Sequence, residues 1–270
     1  MIPRFGFSFR RMWQEGILAG QLQAEVLELV PDHFFAHPTP LDSLSAAFPL
    51  LLHDVGLSIG TPGLDRVRLS RVSAVAKRAK VLRFTDHLAI TRLPGGRQLG
   101  HLAPVPASRA ALETCVENLK QVQDQLGVPL AIENIFSTFF PRLDPFFESA
   151  DHFLAEVLER SGAGLLLDLT NLWLECENRG TSAEQRLAAL PMNRVVAVHL
   201  AGGRRGRRGW EDTHSTAVPD EVLGLLGTLV GRAPVEDVIV EWDAHLPTLA
   251  EIDRQATRAR EAWRQAERNA

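Results

Sequence analysis

The sequence predicts an α/β barrel of the TIM, or (β/α)8, type, and three observations lead to this prediction. Short apolar runs alternate with amphipathic helical patterns, which is typical of a parallel sheet covered by helices. Eight such runs can be counted, and eight strands close a TIM barrel. The length of 270 residues suits one barrel, so we expect a single domain over residues 1–270. An open doubly wound sheet is the alternative, but no glycine-rich phosphate loop follows an early strand.

Apolar periodicity predicts the individual elements. The clearest helix is Arg109–Leu126, which follows a potential cap at Ser108. The other predicted helices are Ala150–Ser161, Thr181–Leu190, Pro219–Val230 and Thr248–Arg268. The predicted strands are Phe5–Phe9, Val26–Val30, Leu50–Ile59, Val81–Thr85, Leu130–Glu133, Gly164–Leu169, Arg194–Leu200 and Val238–Trp242.

Composition and charge argue against several classes of protein. A hydrophobic content of 45% and a charged content of 23% are ordinary for a globular domain. The net charge of −4 and the pI of about 6.1 do not indicate an overall attraction to nucleic acid. Cys115 and Cys176 form neither a disulfide framework nor a CxxC motif, and we expect both to be reduced. We find no signal peptide and no apolar run of about 18 residues, so we expect a cytoplasmic protein without a membrane span.

Histidines and carboxylates fall at or just after the ends of the predicted strands. A lone buried histidine is more often a hydrogen-bonded core residue than a ligand, but a buried carboxylate without a partner is costly. Glu133, Asp168 and Glu241 therefore need cations nearby. The C-terminal strand ends of a TIM barrel meet at one mouth, so we expect one metal-binding pocket there. Its candidate ligands are His53, His87, Glu133, Asp168, Asn171, His199, Asp212, His214 and Glu241.

The number and type of these candidates indicate the kind of metal centre. Nine candidate ligands exceed the roughly four to six that one transition-metal ion binds, so we expect a cluster of two or three ions. Glu133 is the natural bridging carboxylate because it is central in strand order. The set contains nitrogen and oxygen donors and no thiolate, which fits iron, manganese or zinc.

The segment between His199 and Asp212 is rich in arginine and glycine. One interpretation is a solvated surface loop, made mobile by glycines 202, 203, 206 and 209. The other is a basic rim of the pocket that attracts an acidic peptide or partner protein. The four arginines concerned are Arg204, Arg205, Arg207 and Arg208.

Seven segments, taken in order, resemble those of a known enzyme family. They are LLLHDVGLSIGTPG, TDHLAI, LGVPLAIEN, GLLLDLTNLWLE, NRVVAVHLAGG, DTHSTAVPDEV and VIVEWDAHLP, and they extend from about residue 50 to residue 247. The family is that of the multinuclear non-heme iron-dependent oxidative enzymes, which includes the methanobactin-biosynthesis and 3-thiaglutamate enzymes on a xylose-isomerase-like TIM barrel. Three positions depart from its common pattern, and these are Thr170, Gly203 and Ser215.

The resemblance implies a function and a set of roles. It implies that the nine candidate ligands hold two or three iron ions, Fe(II) or Fe(III), and that dioxygen is the co-substrate. The implied reaction is the oxidative modification of a cysteine in a ribosomally synthesised precursor peptide (RiPP biosynthesis). A separate partner protein would present that peptide. Asp54 and Asp86, each beside a histidine of the set, and Asn134, beside Glu133, are candidates for positioning the ligands.

Other functions of the same barrel stay open. The ligand order is also similar to that of zinc-dependent endonucleases of the endonuclease IV type, although Asn171 stands where those nucleases have a histidine. An amide oxygen is a weak zinc ligand and suits a harder ion such as iron. A sugar isomerase is disfavoured because the chain has few lysines, and a non-catalytic binding subunit is disfavoured by the complete ligand set.

Overall fold

The barrel predicted from the sequence is confirmed. The computed structural model describes residues 2–20, 22–137 and 143–270. Eight parallel strands close a barrel in the order β1-β12-β9-β8-β7-β4-β3-β2. These strands are β1 (Arg4–Ser8), β2 (Val26–Leu29), β3 (Leu50–His53), β4 (Arg83–His87), β7 (Leu130–Glu133), β8 (Gly164–Asp168), β9 (Val195–Leu200) and β12 (Asp237–Val240).

Helices cover the outside of the barrel. Arg109–Leu126 and Ala150–Ser161 have the predicted bounds, since a serine caps each start and a left-handed glycine, Gly127 or Gly162, follows each end. The helices are α1 (Gln14–Leu18), α2 (Pro40–Ala47), α3 (Arg66–Ala79), α4 (Arg109–Leu126), α5 (Ala150–Ser161), α6 (Leu169–Arg179), α7 (Ala183–Ala189), α8 (Asp220–Gly227) and α9 (Leu249–Asn269). No helix within the described residues is long and apolar enough to cross a bilayer.

Several element predictions were wrong or incomplete. The predicted strand Leu50–Ile59 ends at His53, because the chain then turns to pack against other loops. Helix α3 was missed, since arginines interrupt its apolar pattern. Helix α6 was also missed, because it starts directly after β8 with no intervening loop, and the Asp168 side chain caps it.

Two hairpins lie outside the barrel sheet and were not predicted. The first pairs β5 (Ala89–Arg92) with β6 (Gln98–Pro104). The second pairs β10 (Arg204–Gly206) with β11 (Gly209–Glu211), in the segment that was expected to be an irregular loop. This second hairpin, which we call the arginine hairpin, packs on α6 through contact of Trp210 with Trp173, whose ring centroids are 5.0 Å apart and whose planes are tilted by 55°.

Alternation along the strands positions the polar residues of the barrel mouth. Side chains two residues apart on a strand point to the same face. Six apolar side chains inside the barrel form two small clusters. The first contains Val26, Leu51 and Ile239, and the second contains Ala131, Leu166 and Ala197. Two positions further along these strands come Glu28, His53, Glu241, Glu133, Asp168 and His199. The strands thus carry a polar layer directly above an apolar layer.

Candidate metal centre

Glu133, at the end of β7, lies between three histidines of the polar layer. Its Oε2 atom lies 3.2 Å from Nε2 of His87 and 3.6 Å from Nε2 of His53. Its Oε1 atom lies 3.2 Å from Nδ1 of His199. The imidazole ring of His53 is 4.7 Å from that of His87 and 5.1 Å from that of His199, measured between centroids. Glu133 is therefore central in space as well as in strand order.

A second set of contacts surrounds His214, which lies on the segment between β11 and α8. Its Nδ1 atom lies 3.0 Å from Oε2 of Glu241, and its Nε2 atom lies 2.9 Å from Oδ1 of Asp212. Asp168 Oδ2 is 3.5 Å from the same Nε2 atom. His214 adopts a left-handed backbone conformation with φ of 41°, which costs a non-glycine residue about 1–2 kcal/mol. The surrounding contacts offset that cost and direct the ring into the mouth.

Asp168 and Asn171 meet at the start of α6. One carboxylate oxygen of Asp168 accepts a hydrogen bond of 2.8 Å from the backbone N–H of Asn171 and so caps the helix. Its other oxygen is buried and faces the centre. Asn134 holds the Asp168 backbone with two hydrogen bonds, since it accepts from the N–H at 2.9 Å and donates to the carbonyl at 3.1 Å.

Buried atoms without hydrogen-bond partners concentrate in this region. Among the described residues, ten buried side-chain nitrogen or oxygen atoms lack such a partner, and six belong to the candidate ligands. Buried polar groups are otherwise almost always satisfied, so this concentration is the pattern that a metal-binding site would produce. The six atoms are His87 Nδ1, Glu133 Oε2, Asp168 Oδ2, Asn171 Oδ1, His199 Nδ1 and His214 Nε2.

The donor atoms form four overlapping groups that could each hold a metal ion. Within each group, one ligand atom per side chain lies within 4.8 Å of the others. The groups are Glu28–His53–His199, His53–His87–Glu133, Glu133–Asp168–His199–Glu241 and His214–Glu241–Asp243. Shared members link all four groups, which fits a cluster of ions better than one isolated ion.

The buried carboxylates and burial itself shift the pKa values of the neighbouring histidines in opposite directions. Burial disfavours protonated His87, but Glu133 and Asp86 outweigh burial and raise its pKa to about 9. Burial lowers the pKa of His53 to about 4, because Glu133 cannot offset both burial and the neighbouring imidazoles. Burial likewise opposes protonation of His199, yet Glu28, Glu133 and Glu241 raise its pKa well above the usual range.

Seven of the nine candidate ligands line a cavity of about 380 Å³. Its polar wall includes His53, His87, Glu133, Asn171, Asp212, His214 and Glu241, and its apolar wall consists of Val30, Val55, Leu102 and Phe136. A neighbouring cavity of about 350 Å³ shares Val55 and Leu102 with it. The two cavities adjoin at Val55 and Leu102, and the second lies against β6.

The three residues expected to position the ligands, Asn134, Asp86 and Asp54, make different contacts. Asn134 contacts the Asp168 backbone, as described above. Asp86 accepts a hydrogen bond of 2.6 Å from the backbone N–H of His87, and burial raises the Asp86 pKa to about 6. Asp54 turns away from His53, and both its oxygens bind Arg68. Asp54 therefore fixes the loop after β3 to α3 rather than orienting a histidine.

The four arginines of the arginine hairpin are exposed and do not line the described wall of the central cavity. One of them, Arg204, pairs with Glu211 across the hairpin at 2.9 Å. The hairpin thus lies beside the centre, held on α6, and its basic side chains face outward.

Two residues of the centre escaped the sequence analysis. Glu28, on β2, is buried 3.1 Å from Nε2 of His199, and the signal that could have identified it is a lone carboxylate inside an apolar strand. Asp243 lies 3.4 Å from Nδ1 of His214 and also pairs with Arg10. It is half-exposed after β12, and no sequence signal distinguishes it from a surface aspartate.

Comparison with known proteins places this chain in a family. Residues 4–264 match the family described as "RiPP precursor modification enzyme MbnB/TglH/ChrH". The chain belongs to the MbnB/TglH/ChrH family. The resemblance drawn from the seven segments is confirmed at the family level. The MbnB/TglH/ChrH proteins are enzymes that modify RiPP precursors, so a peptide is the substrate class that the family implies.

Relatives from two bacterial species cover most of the chain. A UPF0276 protein of Paraburkholderia phytofirmans is 34% identical over 94% of this chain and 85% of its own length. A UPF0276 protein of Chromobacterium violaceum is 34% identical over 86% of this chain and 85% of its own. These relatives support the family assignment.

Solved structures of lower identity support the fold. A D-psicose 3-epimerase, solved in the presence of D-fructose, aligns with a TM-score of 0.59 and 14% identity over 98% of this chain and 97% of its own. A xylose isomerase domain protein from Alicyclobacillus acidocaldarius aligns with a TM-score of 0.56 and 17% identity over 98% and 97%. Both confirm the xylose-isomerase-like barrel.

Proposed function

We propose that this member of the MbnB/TglH/ChrH family holds two or three iron ions at the barrel mouth. With dioxygen, it would oxidise a cysteine of a precursor peptide. The observation that carries the proposal is the set of six buried, unpartnered donor atoms among the candidate ligands, most of which line one cavity. Carboxylates, imidazoles and one amide surround that cavity, and the candidates include no thiolate.

The proposed ligands divide between two halves of the mouth. His53, His87 and Glu133 would hold an ion on one side, and Glu133, His199 and Glu241 would hold a second. Asp168, Asn171, Asp212 and His214 would complete the other side, where Asp168 and His214 are 3.5 Å apart. Asn171 supplies a neutral oxygen, which suits iron better than zinc.

Bound iron would supply the one-electron chemistry by which dioxygen takes up the electrons and protons that the cysteine loses. The protein residues bind and orient the peptide. The cavity of about 380 Å³ can receive a cysteine side chain and adjoining backbone. Its apolar side chains, Val30, Val55, Leu102 and Phe136, would exclude water from the reacting sulfur and Cβ.

The proposal also covers the route by which the peptide reaches the centre and the protein that presents it. An extended peptide would reach the centre through the neighbouring cavity along β6, which shares Val55 and Leu102 with the central cavity. The exposed arginine hairpin would attract acidic residues of the peptide or of a separate protein that presents it. We propose such a partner protein as part of the working assembly.

A co-expression experiment tests the proposed reaction. A cysteine-containing candidate precursor peptide is produced with and without the enzyme, and its mass is measured. A second pair of cultures without dioxygen provides the control. We expect a change in peptide mass that requires the enzyme, dioxygen and iron together.

Metal analysis after anaerobic purification separates this function from the alternative, a zinc-dependent phosphodiesterase of the endonuclease IV type. Two or three iron ions per chain support the oxidative function. Zinc alone, together with cleavage of a phosphodiester and an unmodified peptide, would refute it.

A further inference from the structure

We propose that Glu28 is a positioning residue that selects Nδ1 of His199 as the nitrogen presented to the metal centre. The inference rests on the proposed function only in requiring that the mouth binds metal. Glu28 lies in the polar layer two residues after the inward-facing Val26, so it faces the lumen. Glu28 is 2% exposed, within the range of all the candidate ligands except Asp212, which is exposed.

The contacts of His199 give its two ring nitrogens different surroundings. Nε2 lies 3.1 Å from Oε2 of Glu28. Nδ1 lies 3.2 Å from Glu133 Oε1 and 3.3 Å from Glu241 Oε2, on the side of the proposed ions. A neutral imidazole has one N–H and one lone pair. If Nε2 donates its hydrogen to Glu28, the lone pair is on Nδ1 and faces the centre.

Glu28 is itself held in place. The hydroxyl of Ser8 donates a hydrogen bond of 3.0 Å to Oε1 of Glu28, and the two residues are register partners on β1 and β2. One carboxylate oxygen thus binds Ser8 and the other binds His199. A buried carboxylate with both oxygens engaged has little freedom to rotate towards the metal, which favours positioning over ligation.

His53 is held in a similar way, but its partner is the neutral hydroxyl of Thr85 rather than a carboxylate. Nδ1 of His53 lies 2.9 Å from the hydroxyl of Thr85, its register partner on β4. The other ring nitrogen, Nε2, then faces Glu133. Thr85 and Glu28 therefore select opposite ring nitrogens for their two histidines. The carboxylate of Glu28 also makes the His199 imidazole more basic, which a neutral hydroxyl does not do.

Metal titration of three variants tests the role of Glu28. Metal-free wild type, Glu28→Ala, Glu28→Gln and the control Asp237→Asn are titrated anaerobically with Fe(II), and separately with Co(II) as a spectroscopic probe. Asp237 is a buried barrel carboxylate that pairs with Arg4 and Arg83 at the opposite end, so its replacement controls for lost stability.

The expected results separate positioning from a structural role. Glu28→Ala weakens metal binding about 10- to 100-fold and alters the visible Co(II) spectrum. Glu28→Gln keeps an acceptor for the His199 N–H, so it recovers part of the affinity. Asp237→Asn lowers the unfolding temperature and keeps the wild-type affinity and spectrum. If Glu28→Ala does not fold, Glu28→Gln carries the test, with a smaller loss and the same change in spectrum expected.

The outcomes also separate this inference from the proposed function. Wild-type affinity and spectrum in the Glu28 variants, or equal losses in Asp237→Asn, overturn the role of Glu28 alone. A wild-type chain that binds metal and leaves peptides unmodified overturns the oxidative function alone. A wild-type chain that binds neither metal overturns both.

Discussion

Replacing Asn134 by leucine tests how the end of β8 is held at the metal centre. The change keeps the approximate size of the side chain and removes both hydrogen bonds to the Asp168 backbone. Each buried backbone group left unpaired costs about 1–3 kcal/mol. Asn134 is only half-buried, so water replaces part of the loss and the total is about 1–3 kcal/mol.

This energy converts into a measurable shift of the unfolding temperature. At about 2.1 cal/mol/K per residue, a chain of 270 residues has an unfolding entropy of about 0.6 kcal/mol/K. We therefore expect Asn134→Leu to lower the unfolding temperature of the metal-free protein by about 2–5 °C. Because Asp168 presents its free oxygen to the centre, we also expect iron affinity to fall about tenfold.

Thermal unfolding followed by circular dichroism and anaerobic iron titration are the two assays. Asn193→Leu is the matched control, since Asn193 is exposed in the short turn before β9 and its loss is expected to leave both quantities unchanged. An Asn134→Leu protein with wild-type stability and iron affinity would refute the reasoning. A loss of stability with unchanged iron affinity would refute the part that concerns Asp168.

The remaining predictions concern the ligands, the arginine hairpin and the thiols. Glu133→Ala and Asp168→Ala each remove a proposed ligand, so we expect less bound iron and no peptide oxidation, and full iron content with full activity would contradict the assignment. Changing all four arginines of the hairpin to serine is expected to weaken peptide binding, most at low salt, with unchanged metal content; loss of metal would mean that the hairpin supports the centre. Cys115 and Cys176 are buried, and burial raises the pKa of Cys115 to about 12. We expect Ellman's reagent to label neither thiol until the chain unfolds, and fast labelling of the native protein would contradict their burial.

The barrel and most of its mouth could be predicted because both follow from strand periodicity. Eight apolar runs predicted the number of strands. Because the ends of parallel strands meet at one edge, residues far apart in sequence could be predicted to lie close together. The structure places His53, Glu133 and His199 within contact distance although long stretches of sequence separate them. Whether these residues hold iron stays a prediction, as does the single-domain organisation.

The features that the sequence did not predict depend on side-chain directions and on packing between loops. Glu28 was missed because it lies inside β2 rather than at its end, and only alternation with Val26 shows that it faces the lumen. The arginine segment was expected to be mobile because of its glycines. The structure forms it into a hairpin through cross-strand pairing and the contact of Trp210 with Trp173, and neither is visible in the local sequence. The mobility of the segment stays a prediction.

Asp237 and Glu241 show most clearly what the sequence left undecided. Both are buried carboxylates at the ends of one strand, β12, and either could bind a metal ion or an arginine. At the N-terminal end, Asp237 binds Arg4 at 2.7 Å and Arg83 at 3.4 Å, so its charge is compensated by the protein itself. At the mouth, Glu241 contacts imidazoles, and no arginine or lysine pairs with it among the described residues. The partners of each carboxylate, and not its burial, therefore distinguish a charge that supports the fold from one available to a metal ion.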